Sequence, residues 1–571
     1  VPQNYSQRRR FDVSSIPVCA IHYHPDAYRA DRVGVKGRHS AGAGFLTSYF
    51  RHGRCERFVA MTPNERHGAE FVELAGALDP RNREVRHLRT LLSQPGAAEC
   101  LLVSGPNLEE FVWDRRARDQ RAYSVCGVTH TLSSDRVIAA LCNAPLLPIQ
   151  PWDALICTSR VARDVVQRSI AQYGDYLERR LGVAPSVQMQ LPIIPLGVDG
   201  ARYAADPEAR ARLRNRIGAS DGDLVVLFLG RFTFHAKAHP VPMYLAAEKA
   251  AERLPDRKVH LVMAGQAPNE TIMQSYRETA ELFTDAAAVH FVDGRDDALI
   301  HETWQGSDVF LSLSDNIQET FGLTPIEAMA AGLPAVVSDW DGYKDTVIEG
   351  ETGFRIPTTA PAAGDGFELA LMYQTGRDNY DRFVGRACMS SGCDPDAAAD
   401  ALVKLAEDPD LRCRMGMAGR KRAAEVYDWS VIVRAYEDLW LELRELRRTA
   451  EEVTPRRPGE AASPFYPDPF DIFSCHPTSV LGPATIIKAV PGAAETAADF
   501  LLRHNFVSFG ADFMLTGDEL ATLLAELERR GSLKLSELEE KLAPAVVHRL
   551  RRTLGWLLKF GQIKLGENET D

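Results

Sequence analysis

Four charged residues have types and spacing from which chemistry can be read. In ETFGLTPIEAMAAGLP (319–334), Glu319 precedes a short Phe321-Gly322-Leu323 loop and Glu327 follows it. Thr324-Pro325-Ile326-Glu327 has the pattern of a capping box with proline at the first helical position, which predicts a helix starting there and accounts for Thr324 and Glu327 without a ligand. It does not account for Glu319, nor for the backbone of Phe321, Gly322 and Leu323 delivered to the positive end of that helix, where free amides suit phosphate oxygens. A carboxylate repels phosphate, so Glu319 suits hydroxyls attached to one, which points to a sugar phosphate or nucleotide sugar. In LVVLFLGRFTFHAKAHP (224–240) a strand ends in glycine and is followed by Arg231 and Lys237, two cations able to neutralise a departing diphosphate. GRHSAGAGFLTSYF (37–50) adds a Gly42-Ala43-Gly44 turn leading into a helix, without the third glycine of a dinucleotide fingerprint.

The elements that must position these groups are strands and helices in alternation. IPVCAIHY, RFVAMT, ECLLVS, AYSVCGVT and DALICTS are strand-like within 16–200, and LVVLFLG, VHLVMAG, VHFV, DVFLSLS and AVVSD repeat the scheme over 224–338. Buried runs of Val, Ile and Leu between helix-length segments predict parallel sheets covered on both faces. The expected fold is α/β: two Rossmann-like domains facing across a cleft, residues 1–200 and 201–448, with PLGVDGARYAADPEARARL (195–213) as the hinge. Proline-rich 449–470 reads as a linker, and 471–571 as a small domain of three helical segments ending in a glycine turn, in the order of a winged helix or a small helical bundle.

A chain of 571 residues needs several cores, and 45% hydrophobic with 25% charged residues is ordinary for a soluble globular protein. No apolar run approaches a membrane-spanning length and the start lacks a signal-peptide pattern, so a cytoplasmic protein is expected. The ten cysteines show no CxxC pair; Cys19, Cys126 and Cys157 sit in apolar runs and read as buried thiols. Residues 1–200 carry 25 Lys and Arg against 20 Asp and Glu, and the remaining 371 carry 41 against 58. RNREVRHLRTLL (81–92) and DRRARDQR (114–121) supply much of the basic excess, either as a solvated face or as a basic helix facing an anionic acceptor or a membrane surface.

The motifs together resemble the retaining glycosyltransferases of family 4. The 319–334 stretch matches their paired-glutamate signature, GRFTFHAK looks like their donor-phosphate motif, and IPLGVD (194–199), ETGFRIP (351–357) and YDW (427–429) sit where that family has similar phrases. The match is strong over about 195–358 and consistent over 16–194; residues 359–400 look like an insertion, and 450–571 have no counterpart.

The resemblance implies a GT-B fold, a UDP- or GDP-linked sugar donor bound mainly by the second domain, and an acceptor of unknown identity bound by the first. By the same resemblance Glu319 would hold the transferred sugar's hydroxyls, Glu327 the ribose, and Arg231 and Lys237 the diphosphate. The amides of Phe321, Gly322 and Leu323 complete its cradle beside Thr324; Val292 and Asp293 contact the base by backbone; Gly42, Ala43 and Gly44 approach the diphosphate; and His130, in GVTHTL, sits near the donor sugar. The helix 427–448 crosses back onto the first domain. Neither a metal nor a cofactor is implied, and Asp339-Trp340-Asp341 and Asp221-Gly222-Asp223 are read as chance D-x-D strings. Rival readings are a sugar phosphorylase or nucleotide-sugar epimerase of the same fold, or a sugar-binding scaffold acting through 471–571 on a protein partner. Nucleic acid is disfavoured, since 517–571 carry nine Lys and Arg against ten Asp and Glu.

Overall fold

Each apolar run named above becomes a short strand, buried on both faces except for the half-buried edge strand Ala288–Asp293. The computed structural model describes residues 16–29, 37–94, 96–496, 503–540 and 542–566, and the chain separates into two compact units, 1–463 and 464–571. In the first unit β1 (Cys19–His22), β2 (Arg57–Met61), β3 (Glu84–Leu88), β4 (Cys100–Leu102), β5 (Ser124–Val128) and β6 (Ala154–Ile156) form a parallel sheet in the order β3-β2-β1-β4-β5-β6. A second parallel sheet follows from β7 (Leu224–Leu229), β8 (Val259–Gly265), β9 (Ala288–Asp293), β10 (Val309–Ser312), β11 (Ala335–Ser338) and β12 (Gly353–Ile356), in the order β12-β11-β10-β7-β8-β9. Both orders are that of the Rossmann fold, whose strand order reverses between the first and fourth strands and binds ligands in the crevice there. The expected pair of Rossmann-like halves, the GT-B arrangement, is what the chain forms.

The long helix Trp429–Thr449 leaves the second half and buries Trp429, Ile432, Val433, Tyr436 and Trp440 in the core beneath the first sheet. Glu437, fully buried, accepts from the Arg54 amide at 2.5 Å and from its Nε at 2.6 Å, which ties this helix to the end of the helix Gly37–His52. The halves also meet directly: Ser159 accepts from Ala162 N as the cap of the helix Arg160–Leu181 and donates to the Thr320 carbonyl at 2.7 Å, while Asp345 accepts from Arg160 N and Nε at 2.6 and 2.5 Å.

Four expectations are corrected. The basic stretch 81–92 is not a surface helix: Glu84–Leu88 is the edge strand β3, and Arg83 is buried against Asp79 and the carbonyls of Phe50, Gly53 and Cys55. In 114–121, Arg115 is fully buried on Asp153, and Arg116 and Arg121 bond the carbonyls of Ala461, Ala462, Arg447 and Ala450. Arg83, Arg115, Arg116 and Arg121 thus fasten the chain to itself, while Arg81, Arg89 and Arg118 remain exposed. Residues 450–463 are accordingly docked on the first half and not a free linker, with Gln150 bonding Val453 at both its amide and its carbonyl. Gly42-Ala43-Gly44 lie inside the helix Gly37–His52 and form no turn. A Cβ on Gly42 would meet the Ala27 carbonyl at 2.0 Å and one on Gly44 the Trp429 ring at 2.8 Å, so close helix packing explains these glycines.

The second unit holds the helices Gly517–Arg530, Leu535–Glu539 and Pro544–Lys559 against a three-stranded antiparallel sheet whose central strand, Ile486–Ala489, precedes them. The sheet excludes the all-helical bundle. Arg549 and Arg551 pair with Glu519 and Glu539, and Arg552 donates to the Phe513 carbonyl. Among the described residues no helix is long and apolar enough to cross a membrane.

Candidate active site at the second switch point

The loops after β7 and β10, neighbouring strands where the second sheet's order reverses, bring Arg231, Lys237 and Glu319 together. Lys237 Nζ lies 2.5 Å from Glu319 Oε2 although 82 residues separate them. Asn316, fully buried just past β10, sets that approach: its side-chain amide donates to the Lys237 carbonyl at 2.5 Å, and its oxygen accepts from Gln318 N and Glu319 N at 2.9 and 3.0 Å. Burial works against the Glu319 carboxylate, but the Lys237 ammonium and the amides of Thr320 and Phe321 hold its pKa below the ordinary value. The Phe321 amide is therefore turned onto Glu319.

Gly322 has φ +80, and a Cβ there would strike the Tyr343 ring at 2.1 Å, so both conformation and space require glycine. Gly322 is also the N-cap. The helix runs Leu323–Ala331, starting before Thr324 and with no side-chain cap, which corrects the expected capping box. With Pro325 at the third helical position, the amides of Leu323 and Thr324 stand at the helix's positive end. Thr324 bonds Tyr343 instead, and Glu327 accepts from the Tyr203 hydroxyl; burial pushes the Glu327 carboxyl above its ordinary pKa, with that bond opposing.

The Arg231 carbonyl accepts from Thr233 N at 2.9 Å, but its guanidinium makes no hydrogen bond or close ion pair with any described residue; burial lowers its pKa and the charge of Glu319 opposes the shift. Two further residues were not singled out from sequence for this site. One is Asn316. The other is Asp341, at φ +40, whose Oδ2 is buried without a partner and whose pKa is raised well above the carboxylate range by burial and then by Glu319. A non-glycine residue held at positive φ in a site is a signal only the backbone carries. Neither D-x-D string gathers a metal cluster: Asp223 caps Ser220 and Lys258 N, Asp339 faces Arg355 at 3.2 Å, and no group of three metal-type ligands occurs among the described residues.

The remaining candidates lie apart. Val292 and Asp293 end β9, where Asp293 binds Arg295 at 2.5 Å. His130 follows β5 in the first half, two residues before Leu132, which lines a cavity of about 290 Å³ between the halves that reaches Glu319. Glycines 42 to 44 are filled against by the chain itself, as above.

Residues 209–382, which include Arg231, Lys237, Glu319 and Glu327, match the family described as glycosyl transferases group 1. Over 254 residues it is 25% identical to the D-inositol 3-phosphate glycosyltransferase of Corynebacterium glutamicum, covering 44% of this chain and 51% of that protein. Over 248 residues it is 30% identical to the phosphatidyl-myo-inositol mannosyltransferase of Mycobacterium tuberculosis, covering 43% and 53%. The chain thus spans about half the length of these curated relatives. Among solved structures, Alr3699/HepE of Anabaena in complex with UDP superposes with a TM-score of 0.47 at 14% identity, over 75% of this chain and 100% of the other.

Proposed function

We propose that the protein is a retaining glycosyltransferase that moves a hexose from a UDP- or GDP-linked donor to an acceptor hydroxyl without a metal ion. One observation carries the reading: an unpartnered guanidinium, Arg231, and an uncapped helix end converge with the Lys237–Glu319 pair at a Rossmann switch point. Charges left unanswered by the protein suit a ligand that brings the opposite charge. Arg231, Lys237 and the Leu323 and Thr324 amides neutralise the diphosphate; Glu319, fixed by Lys237 and Asn316, takes the sugar's hydroxyls; Glu327 takes the ribose, and Val292 and Asp293 border the base. His130 faces the transferred sugar in this reading.

In the front-face reaction the anomeric carbon–phosphate oxygen bond breaks, the acceptor oxygen bonds that carbon on the same face, and the acceptor proton passes to the departing phosphate oxygen. No protein nucleophile enters the balance. Positive charge placed where the phosphate charge develops does the stabilising.

A thermal-shift panel of UDP-, GDP- and ADP-sugars, with and without magnesium, tests donor and metal together. A donor at 100 times its dissociation constant adds about 2.7 kcal/mol. Stabilisation by one nucleotide class without magnesium is expected; stabilisation only with magnesium contradicts metal independence. The anomeric coupling of the product by NMR decides retention.

A further inference from the structure

The cavity between the halves is apolar, and no cationic side chain among the described residues lines it. Leu132 and Ile138 come from the segment after β5, Val161 and Val165 from the start of the helix Arg160–Leu181, and Ile317 from the loop that carries Glu319. Ile317 is 36% exposed. Phe383 closes another wall from the helix Tyr380–Met389.

This part of the chain is fastened across the cleft. The Tyr380 hydroxyl lies 2.8 Å from Ser133 Oγ and donates to Gln318 Oε1 at 3.3 Å, while Tyr373 donates to Asp135 Oδ1 at 3.0 Å and stacks on Phe383 with ring centroids 4.8 Å apart. Phe383 thus forms an apolar wall of the cavity, whose lining also includes Glu319.

Resting on the function proposed above, we infer that the acceptor is a small hydrophobic alcohol whose body fills this cavity and whose hydroxyl reaches the sugar that Glu319 holds. A cavity of about 150 Å³ holds one benzene, so the 290 Å³ here suits a body of about two rings. A polyol phosphate would lose its hydration against Leu132, Ile138, Val161 and Val165 and gain no cation in return. In the transfer, the hydroxyl proton goes to the departing phosphate oxygen and the new ether bond joins the sugar to the alcohol.

The probe is 2-naphthol, titrated into the full chain with and without UDP-glucose or GDP-mannose and followed by calorimetry and by product analysis. The expected result is saturable naphthol binding, naphthyl glycoside formed from one donor, and no inhibition by inositol phosphate. Ile138→Asn and Val165→Asn, both on partly exposed helical positions, should weaken naphthol at least about tenfold and leave donor affinity unchanged. Naphthol binding unaltered in both folded variants, or glycosylation of inositol phosphate in preference to naphthol, overturns the inference. Naphthol bound by a protein that binds no nucleotide sugar keeps the cavity but overturns its reading as an acceptor subsite, and separates that failure from the first.

Discussion

Arg115 and Arg231, one in each half, are a wholly buried and a partly buried guanidinium, and they are held in opposite ways. Arg115 is wholly buried, bonds Asp153 at 2.5 and 2.7 Å and the Tyr123 carbonyl at 2.9 Å, and Asp153 spends its other lone pairs on Val125 N and Gln150 N at 2.8 Å. Arg231 has no such partner, and near it Asp341 keeps an unpartnered buried oxygen at strained φ. Charges that the protein answers itself hold the fold; those it leaves unanswered mark where a ligand completes the structure.

Removing the partner of Arg115 should show the first kind. Asp153→Asn is expected to cost about 3–5 kcal/mol of stability, the scale for uncovering a buried charge, with donor affinity of the folded protein unchanged; urea unfolding measures the first and calorimetry the second. Lys237→Ala should show both kinds, since Lys237 belongs to the site and also answers Glu319 at 2.5 Å: a fall of about 10²–10³ in kcat/KM, or roughly 3–4 kcal/mol in the transition state, with a lowered Tm. Steady-state rates within threefold of the parent would remove Lys237 from the site.

Acid sharpens the contrast. Asp79, answered by Arg83 and by the amides of Arg81 and Arg83, is the site of a pKa lowered to about 2, burial being outweighed by those bonds. A depressed carboxylate pKa stabilises above its unfolded value near 4 and loses that contribution as pH falls through the folded value. About 2.5 kcal/mol should therefore disappear between pH 4 and 2 and be absent in Asp79→Asn, as unfolding at stepped pH would reveal. The smallest effect belongs to Asp341→Gly, which relieves positive φ and removes the unpartnered Oδ2, at the loss of the Oδ1 bond from Tyr343 N at 3.1 Å: a net gain of about 1 kcal/mol, read as a raised Tm, accompanied by lower turnover. A lowered Tm would mean that Asp341 is structural.

Much of this was legible because parallel strands buried on both faces read as runs of Val, Ile and Leu; ten such runs are strands. Glu84–Leu88 escaped because an edge strand alternates charge with apolar side chains and hides in an arginine-rich stretch. The helix start at Gly322 escaped because the Thr-x-x-Glu pattern imitates a cap, and only φ at Gly322 shows that the chain has already turned. Arg231, Lys237 and Glu319 were legible by type and loop position. Asn316, Asp341, and the docking of 450–463 on Gln120, Gln150 and Arg116 depend on partners brought near by the fold, and nothing local announces them.

Calorimetric titration of UDP-glucose and GDP-mannose into the parent and Arg231→Ala tests the central claim most directly. One donor should bind the parent, and its affinity should fall about 10–100-fold in the variant, the scale of a lost charged hydrogen bond, while Tm stays within a degree or so of the parent, since the Arg231 guanidinium supports no other described residue. Equal affinity in the two proteins would contradict the claim that an unanswered charge at the switch point holds the donor.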